Sequence, residues 1–211
     1  HILLYRYTGQ QDIVVGLPVL GRPDGRFAQS IGYFVNLLGI RCLPRGDMAA
    51  GAFLQSVQAR LTAGLDHGAW PFAALAGQLK AAKGGNSAGA SLPIEVIFGW
   101  QSFLEAADFS AVAGLPVTHL AEVRQVGDVP LALELYAEGE QLRLVVAFDE
   151  GRFEAGSIER LIDHYLNLAG SICAGDQSPI GHLNMLDKAE RQRLLDDWSG
   201  RLRPVPQHTG D

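Results

Sequence analysis

Apolar residues run almost unbroken from Ile31 to Ile40, with Asn36 alone in the middle and Arg41 closing the run. Such a run predicts a strand buried on both faces, hence a central strand over 31–42. An amide inside it must find hydrogen-bond partners or carry a large desolvation cost. Asn36 is therefore either a structural clip or a group facing a ligand cavity. The β-branched stretch Ile13–Val19 predicts an earlier strand. Gly16 within it signals a bulge or the close approach of another backbone or a ligand. Pro18 marks the strand's end or an unpaired edge, and residues 20–30 read as a polar, Gly/Arg-rich loop.

Helical spacing appears next. Phe53, Val57, Leu61 and Leu65 recur every four residues, which predicts a helix near 48–66 with Asp47 as its cap. A short helix follows Trp70-Pro71-Phe72, with Pro71 suited to a first turn and Phe72, Leu75 and Leu79 as its stripe. Residues 81–91 are a Gly/Ala/Ser-rich surface loop, 92–103 a strand, 104–114 a loop and 116–123 another strand. Leu131–Tyr136 and Leu142–Phe148 alternate around 137–140 and predict a β-hairpin. The strongest helical pattern spans 154–174, with Ile158, Leu161, Ile162, Tyr165, Leu166, Ala169, Ile172 and Cys173 on one face and Gly175 as the stop. Extended chain over 179–186, a charged helix over 189–198 and a Pro-bearing tail over 201–211 complete the pattern. At the other end, His1–Tyr7 reads as the last two turns of an amphipathic helix with no capping residue before it, as in a piece of a larger protein. Strands and helices mix irregularly, so the expected class is α+β, a mixed β-sheet packed with helices.

Composition narrows the function. Hydrophobic residues make up 47% and charged residues 19%, enough for a substantial core. A net charge of -6 with no basic run argues against nucleic acid as a partner. Cys42 and Cys173 lie far apart without metal spacing and read as small core hydrophobes. No apolar run reaches the roughly 18–20 residues of a membrane span, and no leader is evident. A cytoplasmic protein with no membrane contact is the expectation.

Candidate chemistry is sparse. None of the 6 histidines has metal-site spacing, so no metal ligand set is expected. His164 lies near the apolar stripe of its helix and reads as a partly buried structural histidine. His67 reads as a helix C-cap, and His119 falls in a strand with no assignable face. Arg22 and Arg26 sit in one loop, either as phosphate contacts or as a solvated turn. Trp100 and Gln101 end a strand, lining a pocket or packing in the core.

Several stretches together resemble the condensation domain of nonribosomal peptide synthetases, specifically its C-terminal half. Leu4-Tyr5-Arg6-Tyr7-Thr8-Gly9-Gln10-Gln11-Asp12-Ile13-Val14-Val15-Gly16, with Pro18, Gly21 and Arg22, is similar to the family's opening helix and strand. Ile31-Gly32-Tyr33-Phe34-Val35-Asn36 is similar to its IGxFVN motif, and His67 with Trp70-Pro71-Phe72 and Leu75 to its HxxxPF motif. Glu95-Val96-Ile97-Phe98, then Gln101, resembles its VMF-LQ strand, and the hairpin, long helix and closing Leu186–Trp198 resemble the domain's end. The likeness covers almost the whole chain, in the family's order.

The resemblance implies a chloramphenicol acetyltransferase-like lobe over 1–188, with 189–211 as terminal helix and linker towards a following adenylation domain. It implies a tunnel between two lobes, where an acceptor amine attacks a donor thioester. Both reactants ride on phosphopantetheine arms of peptidyl carrier proteins, and this chain binds no cofactor directly. The N-terminal lobe would be the partner and would supply the catalytic HHxxxDG histidine, which this chain does not contain. Gly16, Leu17, Arg22, Tyr33, Asn36 and Gln101 would be tunnel-wall or binding residues, with no catalytic residue here and the isolated chain silent. The family's RDxSRNPLFQ stretch is replaced by Lys83–Pro93, so its Arg and Asp have no counterpart. Epimerization and heterocyclization signatures are missing, which favours plain condensation. Two alternatives are a non-catalytic carrier-recruiting domain of the same fold and an acyltransferase using coenzyme A.

Overall fold

The computed structural model describes residues 1–22, 25–27, 29–82, 94–101, 129–138 and 140–197. The expected strand at 116–123, the loop at 104–114, His119 and the tail beyond 197 lie outside the described residues, as does most of the 81–91 loop. In chain order the elements are α1 (Ile2–Thr8), β1 (Ile13–Val19), a 3-10 turn (Gly25–Phe27), β2 (Asn36–Cys42), α2 (Ala50–Asp66), α3 (Phe72–Ala82), β3 (Val96–Gln101), β4 (Leu131–Glu138), β5 (Gln141–Phe148), α4 (Ala155–Cys173) and α5 (Lys188–Asp196).

The strands form one sheet in the order β2-β1-β3-β4-β5. β1, β3 and β4 run parallel, and β2 and β5 pair antiparallel at the two edges. The hairpin expectation holds, with β4 and β5 in register from Leu131↔Phe148 to Glu138↔Gln141. Alternation does the sorting, because successive strand residues point to opposite faces. One face carries Leu38, Ile40, Cys42, Leu131 and Leu133, which are buried against Phe53 of α2 and Ile158, Leu161 and Leu168 of α4. Phe53 is 2% exposed. Burying a side chain of that size contributes about 1.5–3 kcal/mol, so truncating it costs roughly 3–5 kcal/mol.

Several expectations from the sequence are corrected. The run 31–42 is not one continuous buried strand: only Asn36–Cys42 is β-structure, it lies at the edge among the described strands, and its inward positions alternate with outward ones. Ile31 and Tyr33 are exposed at 105% and 89%, so that part of the run is surface. An uninterrupted apolar run is equally the mark of a segment meant to be covered by something else, and periodicity alone does not separate the two. Gly16 makes no bulge, because the β1–β2 register is continuous from Ile13↔Cys42 to Val19↔Asn36. Helix α2 begins after Ala49, which offers no side-chain cap, while Asp47 pairs with Arg45 at 3.5 Å. Leu75 and Leu79 of α3 are exposed and Ala76 is the buried position. Cys173 is exposed at the last turn of α4, while Cys42 is fully buried, and both are free thiols. Strand β3 begins at Val96, not at 92, because Ile94 and Glu95 are outside it, and residues 92, 93, 102 and 103 of that expectation lie outside the described residues. His164, in contrast, is buried as expected.

Candidate functional site

In open α/β sheets, ligands gather at the carboxyl ends of the parallel strands. Here that end comprises the last residues of β1, β3 and β4 together with the start of antiparallel β2, since Val19 pairs with Asn36. Asn36 opens β2 there, Gln101 closes β3, and Arg22 and Tyr33 lie in the segments that adjoin β1 and β2, while Leu17 points to the other side, into the core with Leu38. Gly16 lies further back, in mid-strand opposite Gly39 and Ile97.

Asn36 is half-buried and all of its amide groups are engaged. Its Nδ2 donates to Gly68 O at 2.9 Å and to Trp70 O at 2.8 Å. Its Oδ1 accepts the backbone N–H of Phe72 at 3.0 Å. Phe72 opens α3, where N–H groups lack helical partners, so Asn36 caps that helix from a different element. Of the two readings of this amide, the structure supplies the clip. It joins Ile31–Asn36 to the His67–Phe72 turn, two segments that are separate in sequence. His67 is exposed and is the C-cap of α2, as expected from sequence.

The loop before β2 is closed by Gly21 and Arg22. Gly21 has φ +59, and a Cβ there would lie 1.8 Å from the Phe34 carbonyl oxygen, so no larger residue fits that conformation. Arg22 donates to Phe27 O and lays its guanidinium 4.1 Å from the centroid of the Phe34 ring. It stacks on an aromatic face, a contact to which a planar cation is suited.

On the sheet face opposite α2 and α4, register places Gln101, Tyr136 and Arg143 in one row across β3, β4 and β5. Tyr136 donates its hydroxyl to Glu134 Oε2 at 2.5 Å, and the Arg143 guanidinium lies 4.6 Å from the Tyr136 ring centroid. The hydrogen bond to the Glu134 carboxylate, with burial second, pushes the Tyr136 phenol up to about 12, and Arg143 opposes the shift. Gly99 keeps this face open: a Cβ there would sit 3.5 Å from Glu134 Cγ and 3.8 Å from Gln101 Nε2. At Gly16 the space a Cβ would take is contested by Ile94 at 2.8 Å and by Ile97 and Leu37 at 3.2 Å. The close approach that Gly16 permits is thus of neighbouring side chains. Glu134, Tyr136 and Arg143 were not singled out from sequence, although the alternation of the hairpin already places 134 and 136 on one face.

Large apolar side chains are exposed in segments that adjoin this end of the sheet in the chain: Leu20 after β1, Phe27, Ile31, Tyr33 and Val35 before β2, Trp70 before α3, and Trp100 near the end of β3. Among the described residues no group of His, Cys, Asp and Glu could hold a metal ion, and no helix is long and apolar enough to cross a membrane.

Comparison with known proteins agrees with this geometry. Polyketide synthase PksN of Bacillus subtilis (strain 168) is 32% identical over 202 residues, which is 94% of this chain and 4% of that protein. Tyrocidine synthase 3 of Brevibacillus parabrevis is 27% identical over 208 residues, 99% of this chain and 3% of that protein. The chain thus spans a small part of the curated relatives it matches. Among solved structures, holo-AB3403, a four-domain nonribosomal peptide synthetase bound to AMP and glycine, superposes with a TM-score of 0.75 at 21% identity over 90% of this chain and 15% of that one. The starter condensation domain of rhizomide synthetase RzmA gives 0.67 at 23% identity over 88% of this chain and 42% of that one. These superpositions establish the fold as the chloramphenicol acetyltransferase-like mixed sheet packed with helices that condensation domains share. The family model described as Condensation domain matches residues 1–195, and the chain belongs to that family.

Proposed function

We propose that residues 1–188 are the C-terminal lobe of an amide-forming condensation domain in a nonribosomal peptide synthetase. Residues 189–211 then carry the terminal helix and the linker towards a following adenylation domain. The observation that carries this reading is the apolar rim at the carboxyl end of the sheet, with Ile31 and Tyr33 at 105% and 89% exposure. Side chains of that size gathered on one rim mark an interaction surface. The N-terminal lobe is the occupant that this reading assigns to it.

The tunnel would then run between that rim and the opposing lobe. Peptidyl carrier proteins would bring donor and acceptor thioesters in on phosphopantetheine arms, in the cytoplasm. The acceptor amine attacks the donor carbonyl, a C–N bond forms, the C–S bond breaks, and the donor thiol leaves with a proton. The HHxxxDG histidine of the other lobe handles the amine. This lobe contributes shape: Gln101 lines the wall, Leu17 backs it from the core side of β1, Arg22 braces Phe27 and Phe34, Asn36 holds the 67–72 turn in place, and Tyr33 meets the opposite lobe. Gly16 lets β1 lie close beneath Ile94 and Ile97. Holding two tethered reactants together contributes on the order of 7–11 kcal/mol in favourable cases, with no base needed from this chain.

The test is a condensation assay on the full-length protein with loaded donor and acceptor carriers, reading the amide product by mass spectrometry. Product that depends on both carriers and falls at least tenfold in Tyr33→Ala is the expected result. Carrier binding without turnover would assign a recruiting role instead. Turnover of a free coenzyme A thioester with no carrier would make the protein a coenzyme A-dependent acyltransferase.

A further inference from the structure

The chain is held to the body of the lobe in two different ways on either side of residues 185–187. Before that point the attachment is apolar and main-chain. Ile180 and Leu183 are 0% and 1% exposed in the core. Ile180 N–H donates to Met48 O at 2.8 Å, Gly181 N–H to Gly46 O at 3.0 Å, Arg6 to Leu183 O at 2.8 Å, and Asn167 to Met185 O at 3.1 Å.

Beyond that point the attachment is polar. Helix α5 buries none of its residues, and Leu195 is 53% exposed. Its side-chain hydrogen bond to the body is made by Glu190, whose Oε2 lies 2.7 Å from His164 Nε2, and Leu194 is its half-buried apolar residue. His164 is buried on α4, and its Nδ1 lies 2.6 Å from the Tyr7 hydroxyl of α1. A carboxylate only accepts, so with the imidazole neutral Nε2 carries the proton and Tyr7 O–H donates to Nδ1. Three helices meet in that relay. The local sequence had another use for Glu190. Asp187 and Glu190 are spaced as a capping box, in which the glutamate turns back onto its own helix start. Asp187 Oδ1 does accept the Glu190 N–H at 2.7 Å, but the Glu190 carboxylate goes to His164. A helix of 9 residues is shorter than the roughly 12–15 needed to persist alone in water.

We infer that α5 is a clasp: it folds and docks in one event, and the Tyr7–His164–Glu190 relay decides whether it is docked and so where residue 197 leaves the lobe. Local opening of this kind is read by amide exchange. The experiment is hydrogen–deuterium exchange with mass spectrometry on the full-length protein, comparing the segment 187–196 with α1 and α4. Glu190→Ala leaves Asp187 as cap and places a strong helix former in α5, so the helix itself is not weakened. Exchange over 187–196 is expected to rise roughly tenfold, in line with losing a hydrogen bond to a charged group, while α1 and α4 stay as they were. Glu190→Gln should give a smaller rise, and His164→Phe the same local effect as Glu190→Ala. Unchanged exchange over 187–196 in Glu190→Ala would overturn the inference. An equal rise across α1 and α4 would overturn it too, because the relay would then belong to the core of the lobe.

Discussion

Asn36 and His164 are both single polar side chains with every ring or amide polar atom engaged, yet they hold the molecule in different ways. The partners of Asn36 are main-chain groups of Gly68, Trp70 and Phe72, fixed by the path of one turn. The partners of His164 are the ends of two side chains, Tyr7 and Glu190, on helices that water also reaches. A main-chain partner cannot turn away without moving the chain, whereas a half-exposed phenol, or a carboxylate on a surface helix, can swing out and rehydrate. The first anchor therefore governs global stability and the shape of the sheet end. The second governs one terminal helix.

The sharpest way to break this comparison is Asn36→Asp. It keeps an acceptor for Phe72 N–H but replaces the Nδ2 amino group, which makes both donations, with one carboxylate oxygen facing the Gly68 and Trp70 carbonyls. The expected loss is about 3 kcal/mol or more, or roughly 6–12 °C in Tm for a domain of this size, measured by calorimetry. Asn36→Ala removes all three bonds without adding repulsion and should cost about 2 kcal/mol. Equal melting temperatures for wild type and both variants would mean that Asn36 is not the clip of this turn. His164→Phe should cost less in global Tm than Asn36→Ala, roughly 1–2 kcal/mol, because Tyr7 and Glu190 regain water. A larger drop than for Asn36→Ala would reverse the ranking of the two anchors.

A third kind of anchor gives the smallest effect. Tyr136 and Glu134 are two residues apart on one strand, so their bond ties nothing distant together. The Tyr136 phenol is raised from 10.0 to about 12 in the fold, which favours the protonated form. Its contribution is therefore complete below pH 10 and is lost as pH rises from 10 towards 12. Tyr136→Phe should remove the highest tyrosinate step from an ultraviolet titration and flatten the stability decline over that window. A wild-type titration with no tyrosine near 12 would contradict the Glu134 bond.

Legibility from sequence follows the same division. Periodicity found α2, α4 and the β4–β5 hairpin, because their burial is set by residues close together in the chain. It misplaced β2, reading an exposed run at 31–35 as core, since an apolar surface awaiting a partner and an apolar interior have one composition. The alternation of the hairpin contained the Glu134–Tyr136 face, but the Gln101–Tyr136–Arg143 row requires the parallel β3–β4 register, which connects strands far apart in sequence. The capping box at Asp187–Glu190 was visible in spacing alone, but the diversion of Glu190 to His164 was not.

By itself the sequence determined the family, the order of its motifs, the elements with strong local periodicity, and the absence of the HHxxxDG histidine from this chain. Tertiary structure supplied the main-chain partners of Asn36, set the order of the described strands, and joined Tyr7, His164 and Glu190. The physical reason is that burial patterns and caps are short-range properties of a chain. A hydrogen bond between groups many residues apart depends on how the elements pack, and that is settled only when the whole core closes.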